Sequence, residues 1–319
     1  MGNHAATVNH YILATMRKAT PIGYLALAIV SIFWGTTYMA SSIGVRYLHG
    51  ISLSGLRQGT AGFILVSIFL LRGNAIPNRA VLGKLFMISL LMLVGSNGLM
   101  TWSMKYIPSG LGAIISATVP IWITLFSFIL VQRTRLSTQL CAGLFLGFAG
   151  VAAIFYNYLP SMMNPDFRFG ILLCVFASLC WALGSVLTAK WALDINFLYG
   201  AGYQMLFSGG VMLLVSTLIM GEPLHFASFP AELWESLLYL ILFGSLLAYG
   251  AYVYVLNNMP TSLASVYAYI NPIVAVLLGW IWLKESLTWM MGIGTLITLA
   301  GVYLVNGAVA KNKQVMVTE

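Results

Sequence analysis

Charge is what this sequence has least of. Only 7% of its residues are Asp, Glu, Lys or Arg, against roughly 25% in an ordinary soluble domain. A water-soluble body of 319 residues could not cover its surface with so few. Acids are the scarcest, seven in all, and none lies deep in an apolar stretch. A carboxylate proton relay across a membrane therefore has no visible members. Cysteine is nearly absent as well. Cys141, Cys174 and Cys180 show neither redox nor metal-ligand spacing and read as small packing residues. No H-E-x-x-H, G-x-S-x-G or P-loop pattern occurs. His4, His10, His49 and His225 fall in the N-terminal tail or in loops. We therefore expect no catalytic residues, no metal site and no cofactor. The net charge of +8 comes without a dense Lys/Arg run. It points to basic loops against anionic membrane lipid and not to nucleic acid.

Long apolar runs fill the space that charge leaves. Hydrophobic residues make up 60% of the chain, and a bilayer-spanning helix needs roughly 20 of them in a row. Charge-free runs cover 19–45, 85–104, 106–132, 136–165, 169–189, 195–221 and 286–310, one helix each. The run 236–283 holds two, divided by the turn signal Asn257-Asn258-Met259-Pro260. The stretch 47–71 is apolar except for Arg57. The total is ten. The runs are too long, and alternate too little, for barrel strands. The first is also too long for a signal-peptide core, so it reads as a retained helix.

With ten spans both termini share one side. Arg17, Lys18, Arg72, Arg79, Lys84, Arg133, Arg135, Lys190, Lys311 and Lys313 fall on it, against Arg46, Lys105, Arg168 and Lys284 opposite. The bias places the termini in the cytoplasm.

The chain also repeats itself. At an offset of 147, Ser31 pairs with Ser178, Trp34 with Trp181, Arg57 with Gln204 and Gly62 with Gly209. At 152, Pro108 falls on Pro260 and Pro120 on Pro272, with Val119 against Asn271. At 151, Gly143 falls on Gly294, and Ala149-Gly150-Val151 on Ala300-Gly301-Val302. Five is odd, so the second half would enter the membrane from the other side. The expected fold is an all-α integral membrane protein, ten transmembrane helices as two inverted five-helix repeats around a central cavity. Its expected parts are a tail (1–20), a first repeat (21–156), a linker (157–168), a second repeat (169–308) and a second tail (309–319), both tails cytoplasmic.

At this point the sequence resembles the EamA family of the drug/metabolite transporter superfamily over nearly its whole length. The carriers are Phe33-Trp34-Gly35, Leu56-Arg57, Met104-Lys105-Tyr106-Ile107-Pro108-Ser109-Gly110 with Pro120 beyond it, Asn271-Pro272, Leu283-Lys284-Glu285-Ser286-Leu287-Thr288, Gly292 and Ala300-Gly301-Val302. The resemblance implies cytoplasmic termini, a central cavity and movement of small organic solutes in a bacterial inner membrane. Export of amino acids and related metabolites is common in the family. Xenobiotics, nucleosides and sugars stay open as substrates, and a non-transporting sensor is the alternative class.

Spacing selects the cavity candidates. Residues three and four apart share a helix face. Ser31, Trp34, Tyr38 and Ser41 form one such stripe, and Ser178, Trp181, Ser185 and Thr188 form its match. Asn97 with Thr101, Tyr249 with Tyr252, and Tyr267 with Asn271 follow the same rule. Pro120 and Pro272 each remove a backbone donor and release a carbonyl, at Ser116 and Ala268, so both are expected to kink their helices. Helix packing by hydroxyl-bearing residues is the plain competitor for each of these. Arg57 stands about six residues into its helix, roughly 9 Å at 1.5 Å per residue. That depth permits snorkelling, so an orienting or packing arginine is favoured over a counter-ion for a carboxylate. The expected partners are a small-molecule substrate and membrane lipids. Gly143, Gly147, Gly150, Gly294 and Gly301 could serve close contacts within a monomer or between copies.

Overall fold

A computed structural model describes residues 20–131, 137–259 and 266–318. Arg17, Lys18, Arg133, Arg135, Pro260, His4, His10 and almost all of the N-terminal tail lie outside them. Among the described residues there are helices and no strands. The membrane-length helices are α1 (Pro21–Gly44), α2 (Gly50–Leu71), α3 (Arg79–Ser103), α4 (Ser109–Leu130), α5 (Thr138–Tyr156), α6 (Pro165–Trp191), α7 (Phe197–Ile219), α8 (Ala231–Tyr252) and α10 (Trp289–Ala308). The shorter apolar helix α9 (Tyr267–Leu283) completes ten.

Several helices begin earlier than the charge-free runs. Helix α3 starts at Arg79, α6 at Pro165 and α8 at Ala231. The side chains of Asn78 and Asn164 cap the first two by accepting from Val81 N and Asp166 N, both at 2.9 Å. First turns that carry Arg79, Asp166 and Glu232 extend each helix beyond its apolar run. The expected linker 157–168 is correspondingly shorter. At the other end the backbone of α10 continues to Thr318, so most of the expected tail is helical.

The packing partners cross between the halves. Helix α1 lies against α8 and α9, while α6 lies against α3 and α4. Helices α2 and α7 pack on each other, as do α5 and α10. Glycine makes both of those pairs. A Cβ at Gly62 would collide with the Leu206 backbone, and one at Gly209 with the Gly59 backbone. At Gly150 it would meet the Thr298 backbone, and at Gly301 that of Gly147. Without a hydrophobic drive inside lipid, such close approach supplies dispersion contact between helices. The glycines named from sequence thus work inside one chain. Of the three cysteines, Cys174 and Cys180 are buried, but Cys141 is exposed on the outside of α5. Its helix turns that face outward because its glycine face is spent on α10.

Three helices depart from regular geometry. Helix α3 widens to π geometry over Leu90–Gly98, α8 over Leu240–Leu247 and α7 over Val215–Ile219. The first two carry Gly95-Ser96 and Gly244-Ser245 at one offset of 149. The prolines behave differently from one another. Helix α4 breaks at Ala117–Thr118 and restarts at Val119, which puts Pro120 second in the new segment, where its missing N–H costs nothing. Helix α9 runs on through Pro272.

At one end of the bundle the halves are clamped. Glu285 Oε1 accepts from Ser109 N and Ser109 Oγ, both at 2.7 Å, and Oε2 accepts from Gly110 N at 3.1 Å. A carboxylate on the first amides of a helix satisfies donors that have no partner within it. The Leu283–Thr288 stretch therefore docks on the Met104–Gly110 stretch.

Candidate functional site: a cavity between the halves

A cavity of about 330 Å³ lies in the middle of the bundle, walled by eight helices. Neither α5 nor α10 contributes to it. Its volume is at the lower end of the range for small-molecule sites.

Most of the residues chosen by spacing meet here. Helix α1 brings Trp34, Tyr38 and Ser41, and α6 brings Ser178, Trp181 and Ser185. From α3 come Asn97 and Thr101, and from α4 Ser116 and Pro120. Tyr249 and Tyr252 face it from α8, and Tyr267, Asn271 and Pro272 from α9. Ser31 does not line it. Its side chain is 1% exposed and packed inside the bundle, and its Oγ has no partner. Only its carbonyl acts, as an acceptor for Asn271. Turned with nitrogen toward α1, the Asn271 amide donates to Ser31 O at 2.7 Å and to Tyr267 O at 3.1 Å. Asn271 therefore ties α9 to α1 as well as bordering the cavity. Thr188 also stays off the lining and donates to Gly184 O at 2.8 Å.

Arg57 departs from expectation. It does not snorkel: its side chain is 6% exposed, points into the bundle and lines the cavity. Its Nε donates to Ser245 Oγ at 2.8 Å. The π segment of α8 presents that hydroxyl and also the Gly244 carbonyl, which accepts from Trp34 Nε1 at 3.1 Å. An acceptor 188 residues downstream draws the guanidinium inward and offsets part of its burial.

Trp34 stands in a cluster of rings. Its centroid is 5.0 Å from Tyr252, 5.2 Å from Tyr267 and 6.3 Å from Tyr249. Opposite, Asn97 Oδ1 accepts from Ser54 Oγ at 2.7 Å and from Gln58 Nε2 at 3.0 Å.

Spacing missed Gln58, Ser96, Ser245, Thr37 and the thioethers Met100, Met104 and Met205, all of which line the cavity. Two signals were available. Ser54 and Gln58 are four apart in an apolar helix, and the Gly-Ser pairs recur at a fixed offset. Among the described residues no cluster of His, Cys, Asp or Glu could hold a metal.

A polytopic helical bundle with a buried, mixed polar and aromatic cavity is the architecture of a membrane carrier. The model of the EamA-like transporter family matches residues 21–156 and 168–307. The chain belongs to that family. It is 36% identical over 266 residues to the inner membrane transporter YedA of Escherichia coli (strain K12), covering 82% of this chain and 83% of YedA. It is 27% identical to the transporter YoaV of Bacillus subtilis (strain 168), covering 88% of this chain and 95% of that one. It is also 27% identical to Protein PecM of Dickeya dadantii (strain 3937), covering 85% and 88%. A solved crystal structure with 20% identity superposes with a TM-score of 0.62 over 92% of this chain and 98% of that one, a likeness of fold.

Proposed function

We propose that this protein is a secondary transporter of the bacterial inner membrane that moves small organic metabolites through the central cavity by alternating access. Amino acids and related carboxylates are the foremost substrates, and export is the direction. The single observation that carries this is the cavity itself, closed in by matched helices and holding Arg57 in its wall. Residues 21–156 and 169–308 form two repeats, inverted so that each lends its first helix to the other's wall. One repeat rocks against the other around the cavity. Both termini are cytoplasmic, and a monomer suffices, because the glycine faces are occupied within the chain.

The cavity wall carries no Asp or Glu among the described residues. Transport is therefore facilitated, by exchange, or coupled to protons through a group other than a wall carboxylate, and a pH gradient that drives uphill uptake into liposomes would select the last. The main test is flux of a metabolite panel into liposomes loaded with purified wild type, Trp34→Ala or Asn271→Ala. Lower flux in both variants is expected. Unchanged flux would dismiss the cavity as the route, and no flux of any metabolite by wild type would dismiss transport.

A further inference from the structure

A second cavity, of about 470 Å³, lies at the end of the bundle where Glu285 clamps the halves. On the orientation proposed above, that end faces away from the cytoplasm. Its lining meets the lining of the central cavity at one residue, Met104. Neighbouring residues divide between the two. Ser41 lines the central cavity and Ser42 the outer one, and Thr101 and Lys105, on either side of Met104, divide in the same way. Met104 stands just beyond the end of α3 and is 5% exposed. Its side chain fills the space that Gly112 leaves on α4, where a Cβ would collide with it. Gly112 belongs to the first turn of α4, the turn whose amides Glu285 holds at Ser109 and Gly110. The clamp therefore fixes the surface on which Met104 rests. An unbranched thioether with three rotatable bonds adapts readily when that surface moves.

The free charges of the outer cavity are of one sign. Arg46 and Lys105 line it, both exposed, and neither forms an ion pair among the described residues. Lys105 Nζ stands 6.0 Å from the ring centroid of Tyr106. Glu285 lines the cavity too, but both of its oxygens are committed to the start of α4, where the helix dipole offsets its charge. The internal repeat does not account for the two cations, since their matched positions hold Leu193 and Asn257. Nor does the orientation, because Lys and Arg collect on the cytoplasmic side. A concave wall of one sign concentrates counter-ions from solution.

We propose that the outer cavity is a second binding station for the transported carboxylate, with Arg46 and Lys105 as its cations and the Met104 side chain as the partition between it and the central cavity. This rests on the transport reading above and adds a site to it. A carboxylate that leaves Arg57 passes Met104 when the clamp loosens, and meets two cations before it reaches bulk water. Both cations are exposed, so the station holds its anion weakly and loses it as salt rises. Weak holding suits a point of release.

Thiol labelling reads both parts before any substrate is known. Single cysteines are placed by Leu283→Cys in the outer cavity and by Ser116→Cys in the central one, after Cys141, Cys174 and Cys180 are changed to alanine. Right-side-out membrane vesicles receive a methanethiosulfonate that bears either a sulfonate or a trimethylammonium group. Relative to a free thiol, Leu283→Cys should react about tenfold faster with the anionic reagent than with the cationic one, the low end of electrostatic focusing. Arg46→Gln together with Lys105→Gln should remove that preference, and so should ~1 M salt. Ser116→Cys should react slowly, and severalfold faster once Met104→Ala is added. Met104→Leu keeps the bulk and should keep the slow rate, which separates loss of the partition from loss of the fold. In uptake assays on the same vesicles, the paired Arg46→Gln and Lys105→Gln substitution should raise KM for external carboxylates severalfold, with little change for neutral solutes. Equal rates for the two reagents at Leu283→Cys overturn the station. A Ser116→Cys rate that Met104→Ala leaves unchanged overturns the partition. Carboxylate uptake whose KM ignores the paired substitution overturns the station and keeps the transporter. Flux of no solute at all removes the transport reading, and the proposal with it.

Discussion

Trp34 and Trp181 occupy matched positions in the two halves and live in different surroundings. Trp34 is bonded through its indole to Gly244 O and ringed by three tyrosines. Trp181 borders the same cavity, and its indole has no hydrogen bond and no ring partner among the described residues; only its carbonyl is engaged, accepting from Ser185 Oγ at 2.7 Å. The neighbouring helices repeat the contrast. Helix α2 gives the cavity Arg57 and Gln58, where the matched positions on α7 hold Gln204 and Met205, and only Met205 reaches the lining. What the halves share is framework: the paired glycines, the prolines, the Gly-Ser turns of the π segments. What they do not share is the polar equipment of the wall. Framework faces the same packing problem twice, whereas a small solute is asymmetric and needs different groups at its two ends.

The contrast breaks most sharply at the two tryptophans. Trp34→Ala removes a hydrogen-bonded ring from a packed cluster, and we expect about 3–5 kcal/mol of lost stability, seen as a large drop in melting temperature in detergent. Trp181→Ala should leave that temperature nearly unchanged and alter ligand affinity instead. Next comes the charge on α2. Arg57→Gln makes the two halves alike, and should lower anion flux about tenfold or more, the scale of a charge-assisted hydrogen bond. Gln204→Arg should not restore flux to that variant, because position 204 does not reach the cavity. Equal flux in wild type and Arg57→Gln would make the halves equivalent after all.

Smaller effects belong to the clamped end. Glu285→Ala strips three hydrogen bonds from the start of α4. Stability should fall by ~1–3 kcal/mol, and hydrogen exchange should quicken at Ser109 and Gly110 while the amides of α9 stay protected. The smallest concerns His49, which caps α2 by accepting from Ile51 N through Nδ1 at 3.2 Å. Burial holds its pKa below the ordinary histidine value; Glu222 raises it and Lys105 lowers it further. The folded protein therefore favours neutral His49. The stability from this cap is present above the ordinary histidine pKa and is lost as pH falls through it and down past the lowered value. A thermal melt between pH 7.5 and 5 should fall by an amount that His49→Asn reduces, on the scale of a helix cap, ~0.5–2 kcal/mol.

Much of the framework could be read from sequence because lipid imposes it. Apolar length set the ten spans. Stripes at helical spacing brought Trp34, Trp181, Tyr267 and Asn271 to a shared face. The failures came where a second helix decides. The distance of Arg57 along α2 allowed it to reach the interface, but Ser245, far downstream in sequence, draws it inward. Ser31 belongs to the stripe of Trp34, yet α9 covers it. Gln58 is adjacent to Arg57 and so lies off its stripe; its spacing of four from Ser54 marks a polar face, and the structure shows that this face meets Asn97. Spacing within a helix defines a face and leaves open what will stand opposite it.

The crossing of partners has a consequence for how the chain is made. The acceptor for the Trp34 indole lies 210 residues downstream, and the side chain that fixes the Ser31 carbonyl is Asn271. When α1 enters the bilayer its companions have not been synthesised. The Thr36 and Thr37 hydroxyls can bond carbonyls of their own helix at once, but the Trp34 indole and the Ser31 carbonyl meet their partners only when α8 and α9 arrive. Helix α1 is therefore made well before the helices that complete its place.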